Sequence, residues 1–137
     1  MSFLLDTNVV SETRRKRPDP GVLSWFQHAD SSQLYISVLT LGEIAKGVAK
    51  YAKRDAAQAA ALGSWLESIR RNYADRIVGI DADIAEMWGR LAAERSLAVI
   101  DALIAATALV PGLTLVTRNT GDIEGTGVPV LNPWSTQ

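Results

Sequence analysis

Short apolar runs alternate along this chain with longer stretches in which apolar residues recur every three or four positions. Phe3 to Leu5 is an apolar run that stops at Asp6, as a buried strand does on reaching the end of a sheet. Residues 7–14 read as a short helix. Pro18, Pro20 and Gly21 then punctuate the chain before a helix carrying Val22, Leu23, Trp25 and Phe26. Leu34 to Val38 is rich in β-branched and aromatic residues and reads as a second strand. Thr40 stands three residues before Glu43, the spacing of a capping box, so a helix is expected to open at Thr40 with Glu43 in its first turn. From there to Asn72 the chain is alanine-rich and helical, with a break near Tyr51 to Asp55. Ile77 to Ile80 is a third short strand, and Asp81 opens a helix with Ile84, Met87, Trp88 and Leu91 at helical spacing. A further helix runs from about Ile100 to Val110 and ends at Pro111-Gly112. Leu113 to Val116 follows as a fourth strand and Val128 to Leu131 as a fifth.

Strands that alternate with helices imply a mainly parallel sheet of four or five strands with helices on both faces, an α/β fold. The 137 residues suit one domain spanning 1–137, and neither repeat nor linker divides them. With no cysteine, disulfide scaffolds, thiolate metal sites and cysteine nucleophiles are excluded, and a reducing cytoplasm is the expected setting. The N-terminus lacks the basic start of a signal peptide, and no apolar stretch approaches the roughly 20 residues needed to span a bilayer. A net charge of -1 does not announce a nucleic-acid binder, but Arg14, Arg15, Lys16 and Arg17 form one basic run near the N-terminus.

The carboxylates change the picture from fold to chemistry. In a parallel α/β sheet the binding crevice lies beyond the carboxyl ends of the strands. Asp6 follows the first strand, Glu43 lies early in the helix after the second, and Asp101 opens the helix before the fourth. Asn119 and Asp122 follow the fourth strand on the same edge. Carboxylates gathered in one crevice repel unless a cation neutralises them, and an oxygen-only set points to a hard ion, Mg²⁺ or Mn²⁺. Such sites serve phosphodiester hydrolysis. Each residue also has a plainer reading: Asp6 and Asp101 as helix N-caps and Glu43 as half of a capping box. Asp81 and Asp83 read as ordinary helix-start residues, and the lone His28 as a surface or packing residue.

At these same residues the sequence closely resembles the PIN-domain family, nearest its VapC-type toxins, the ribonuclease halves of bacterial toxin–antitoxin pairs. The resemblance rests on LLDTNVVSE at 4–12, ISVLTLGEIAKGV at 36–48, VIDALIAATAL at 99–109, LTLVTRNTGDI at 113–123 and VLNPW at 130–134, in that order. It implies an α/β/α sandwich, a Mg²⁺-dependent endoribonuclease, a homodimer and a cognate antitoxin. It also implies that Asp6, Glu43 and Asp101 are the acidic metal-binding residues and that Thr117 holds water or phosphate near the metal. Many PIN domains carry a fourth aspartate where this chain has Asn119. Asn119 takes that place by position and Asp122 by charge. The alanine-rich helices from Ala45 to Ala61, with Val22, Trp25, Phe26, Leu62 and Trp65, offer either a groove for an antitoxin helix or an ordinary core face. The run Arg14 to Arg17 suits an RNA backbone, or a solvated loop.

Three rival readings fit less well. A phosphoacceptor signalling domain needs a lysine on a late strand, and no lysine follows Lys53. An aspartyl-nucleophile phosphatase needs a second aspartate where Asn8 stands. A binding module without activity would leave the carboxylates repelling one another.

Overall fold

The computed structural model describes residues 1–135; the last two positions of the expected domain, 136 and 137, lie outside the described residues. Five parallel strands form one sheet in the order β3-β2-β1-β4-β5. The strands are β1 (Phe3–Leu5), β2 (Leu34–Ser37), β3 (Ile77–Val78), β4 (Thr114–Val116) and β5 (Val130–Leu131). The helices are α1 (Thr7–Glu12), α2 (Pro20–His28), α3 (Val38–Ala52), α4 (Ala56–Asn72), α5 (Ala82–Glu94) and α6 (Val99–Leu109). The chain steps from β1 outward to β3 and then returns to place β4 on the other side of β1. The strand order therefore reverses between β1 and β4, where open α/β sheets form their crevice.

Alternation along β1 shows how the layers are assigned. Leu4 points to one face, into a core built with Ile84, Leu91, Ile104, Ala105 and Leu115 from α5, α6 and β4. Leu5 points to the other, among Val9, Val10, Val22, Ile36, Ile69 and Trp134. Both leucines have no exposed surface. The result is the expected α/β/α sandwich.

Two local features differ from the expected ones. Ser37, not Thr40, caps α3: its hydroxyl accepts the Leu39 N–H at 2.9 Å, so the helix opens earlier and Glu43 lies in the second turn. Thr40 is fully buried and spends its hydroxyl on Thr7 at 2.9 Å. The capping-box spacing misled because the serine at the end of β2 reaches the free amides first. The other feature is α6, whose N-cap is Ala98 with no side-chain cap; Asp101 sits in its first turn, free of capping duty.

The break between α3 and α4 falls where expected, and the two helices pack as a hairpin. Val22, Trp25 and Phe26 belong to the second core rather than to an open groove, with Trp25 edge-on to both Phe3 and Phe26 at 5.2 and 5.3 Å. Trp65 packs against the same core, and with Leu62 it also lines a shallow hollow with Ser11, Arg14 and Arg15, where Arg14 lies 5.6 Å over the Trp65 ring. Asp81 caps α5 through the Ile84 N–H, and His28 is exposed with its ring against the Ser24 carbonyl, each as read from sequence.

Ser135 is fastened to α2 by a residue that sequence reading passed over. Asp19 caps α2 by accepting the Gly21 and Val22 N–H groups, and it also accepts the N–H and hydroxyl of Ser135. Gly21 has to be glycine here, because a Cβ would lie 2.5 Å from the Pro133 carbonyl and from the Ser135 nitrogen. No helix among the described residues is long and apolar enough to cross a membrane.

Candidate active site

The residue after each central strand opens the crevice. The Asp6 N–H still donates to the Val116 carbonyl at 2.9 Å, so the ladder between β1 and β4 holds Asp6 beside Thr117. The Thr117 hydroxyl donates to Asp6 Oδ2 at 2.8 Å, and the Thr7 N–H donates to Oδ1 at 2.8 Å. Asn8 Nδ2 stands 3.5 Å from Oδ2 and 3.3 Å from the Thr117 oxygen. Thr117 also accepts the Asn119 N–H at 3.1 Å and is only 1 % exposed. Its hydroxyl is therefore fully used in orienting Asp6 and bracing the β4 loop, rather than in facing water or phosphate as expected.

A second chain of hydroxyls positions Glu43. Thr7 Oγ1 donates to Glu43 Oε1 at 2.7 Å. Its one proton is thereby taken, so Thr40 is the donor in the 2.9 Å contact between the two threonine oxygens. The buried threonine of α3 thus fixes a threonine of α1, which fixes the glutamate. Sequence reading missed Thr7 and Thr40 in these roles, although both lie within the motif blocks that carry Asp6 and Glu43.

Asp6, Thr7, Asn8, Ser11, Glu43, Ile100, Asp101, Ile104 and Asn119 line one open cleft of about 300 Å³. The structure so brings together Asp6, Glu43, Asp101 and Asn119. Asp122, in the short 3-10 turn Thr120–Ile123, lies close enough for its charge to act on both Asp6 and Asp101. Asn119 lines the cleft wall, while Asp122 contributes charge beside it. A wider hollow of about 660 Å³ beside β5, lined partly by Thr120, Glu124, Gly127 and Val130, has one carboxylate and none of these residues.

The electrostatics of the cleft are uncompensated. Burial pushes the Asp6 carboxyl above the ordinary aspartate range; hydrogen bonds from Thr117 and Thr7 pull the other way, and the charges of Glu43 and Asp122 add to the rise. Asp101 is raised by burial first, then by Asp122 and Asp6. No lysine or arginine among the described residues lines the cleft. Among the described residues no group of three or more histidine, aspartate and glutamate side chains stands close enough to hold an ion as placed. Glu43 is turned to Thr7. The donor set is nevertheless all oxygen, from Asp6, Glu43, Asp101 and Asn119, which fits a hard divalent ion.

Comparison with known proteins agrees with this geometry. Residues 3–124 match the PIN domain family. Toxin FitB of Neisseria gonorrhoeae is 34 % identical, covering 96 % of this chain and 98 % of its own. The crystal structure of FitAcB from that organism superposes with a TM-score of 0.88 over 97 % of this chain and 99 % of the other, at 34 % identity. VapC ribonuclease Y4jK of Sinorhizobium fredii is 32 % identical over 96 % of this chain and 97 % of its own. A toxin-antitoxin complex from Klebsiella pneumoniae contains a chain 30 % identical, with a TM-score of 0.72 and coverage of 97 % here and 98 % there. Sequence and topology place the chain in the PIN domain family.

Proposed function

We propose that this protein is a Mg²⁺-dependent endoribonuclease, with Mn²⁺ as an alternative ion, that acts as the toxin of a toxin–antitoxin pair. The observation that carries the reading is the cleft that gathers Asp6, Glu43, Asp101 and Asn119 with no cationic side chain among the described residues. The names of the relatives, a toxin and a VapC ribonuclease, support the same assignment.

Asp6, Asp101 and Glu43 would hold the ion, with Asn119 and Asp122 at the rim. When bound, the ion supplies positive charge that favours hydroxide over water and stabilises the oxygen leaving phosphorus. The side chains of this chain do the placing. Thr117 and Thr7 fix both oxygens of Asp6, and the Thr40–Thr7 relay fixes Glu43. Asn119 offers an amide at the cleft wall to a bound water or a phosphate oxygen, without adding charge. The lone histidine is exposed on α2 and is given no role. Hydrolysis in this arrangement leaves a 5′-phosphate and a 3′-hydroxyl.

A homodimer, a cognate antitoxin and a cytoplasmic setting belong to the same proposal. Val38, Val99 and Ile100 are exposed apolar side chains beside the cleft, a surface suited to a second copy. The test is purified protein, freed of any partner, incubated with labelled RNA in Mg²⁺, Mn²⁺ or EDTA beside its Asp6→Asn variant. Cleavage that needs both the ion and Asp6 is expected. Equal cleavage by the variant, or in EDTA, overturns the assignment.

A further inference from the structure

Beside the β4 loop lies a second hollow of about 410 Å³ whose walls include Arg15, Arg17, Arg118, Glu12, Asp19 and Trp134. Its two carboxylates are committed. Glu12 is 5 % exposed and accepts the Asp19 N–H at 2.8 Å and the Arg15 guanidinium at 3.4 Å. Asp19 is occupied by the four donors described above. The arginines are less committed. Among the described residues neither Arg17 nor Arg118 forms a salt bridge, and the Arg15 side chain remains 65 % exposed despite its pairing.

Arg118 has a particular geometry. Its guanidinium carbon lies 5.2 Å over the Trp134 ring, and the residue is exposed, so the guanidinium is accessible beside an aromatic ring. It stands between Thr117, which orients Asp6, and Asn119, which lines the catalytic cleft; its N–H donates to Asn8 Oδ1 at 3.4 Å. The hollow and the cleft therefore border the same short loop.

We propose that this hollow is the subsite for a nucleotide flanking the cut in a single-stranded RNA. Arg15 and Arg17 hold the backbone phosphate, and the guanidinium plane of Arg118 stacks on the base. The inference deepens the ribonuclease reading and rests on it. A guanidinium fork matches phosphate oxygens, and its plane is a stacking surface for bases. An acidic protein segment would use the charge but has no need of a planar guanidinium beside a tryptophan ring, which favours RNA.

The test uses Arg17→Gln/Arg118→Gln, with Arg70→Gln/Arg71→Gln in the last turn of α4 as a control for lost charge. Binding of a fluorescein-labelled single-stranded RNA is followed by anisotropy in EDTA across a salt series, and cleavage in Mg²⁺ gives kcat and KM. The double variant is expected to bind about tenfold more weakly at low salt, with a salt slope lower by about one for each arginine. KM rises with it, kcat stays near wild type, and the control moves neither. Arg118→Lys restores the salt slope but not the full affinity, because it keeps charge without the plane. Should Arg118→Gln melt early, Arg17→Gln alone carries the salt-slope test. Unchanged RNA binding and KM in the double variant overturn the proposal, as does a loss confined to binding of a protein partner. A wild type that binds RNA through these arginines yet cuts none overturns the ribonuclease reading and leaves the subsite standing. A wild type that neither binds nor cuts overturns both.

Discussion

Asp6 and Asp19 are both N-cap residues of helices at the carboxyl edge of strands or loops, yet their surroundings push them in opposite directions. Asp19, on the surface, accepts hydrogen bonds from the Ser135 backbone and hydroxyl, then from Val22 and Gly21, and these hold its carboxyl below the ordinary range. Asp6 also accepts backbone and hydroxyl donors, but burial outweighs them and other acids stand near it, so its carboxyl is raised. The same residue in the same local role is stabilised as an anion at one site and penalised at the other. Asp19 fastens structure without further help. Asp6 is a carboxyl whose charged form is disfavoured by burial and by neighbouring acids.

The largest expected effect comes from removing that charge. Asp6→Asn is expected to lower RNA cleavage at least about a hundredfold, beyond the range seen for second-layer partners of metal ligands. Circular dichroism should remain that of the wild type. Thr117→Val keeps volume but removes the hydroxyl that holds Asp6 Oδ2, and cleavage is expected to fall about tenfold to a hundredfold. Thr117→Ser should recover most of that loss, and failure to do so would assign the effect to packing instead. Asp19→Ala should act on stability, lowering the melting temperature by a few degrees through loss of the α2 cap and the Ser135 anchor.

The smallest effect separates the two aspartates by pH. A raised carboxyl contributes stability that is fully present below its unfolded pKa and is lost as pH rises through the folded value. A depressed one contributes stability present above the unfolded pKa and lost as pH falls through the folded value. Without divalent ions, the melting temperature of Asp6→Asn relative to wild type should therefore shift in the variant's favour as pH rises from acid to neutral. Asp19→Asn should shift the other way. Parallel shifts of the two variants would mean that burial does not govern Asp6.

The sequence disclosed the strands, the break in the long helical stretch and the edge of the sheet on which Asp6, Glu43, Asp101 and Asn119 meet. Apolar periodicity and strand-end position are local signals, and they sufficed there. It did not disclose the start of α3, because Ser37 and Thr40 are both acceptable caps and only their partners distinguish them, the Leu39 N–H for Ser37 and the Thr7 hydroxyl for Thr40. Nor did it disclose that Thr117 and Thr7 are the residues that aim the carboxylates, since hydroxyl partners across 111 and 36 positions have no local signature. Trp25 and Phe26 offered either core or groove by pattern, and the edge-on stack with Phe3 decides for core.

The account depends above all on the carboxylate cleft taking up a divalent ion. The most direct measurement is a titration of the wild type and of Asp6→Asn and Asp101→Asn with Mn²⁺, followed by calorimetry and by the electron paramagnetic resonance of free ion. The prediction is saturable binding by the wild type that weakens as pH falls and is lost or greatly reduced in both variants. Binding of equal strength in all three proteins, or none in a folded wild type, would contradict it.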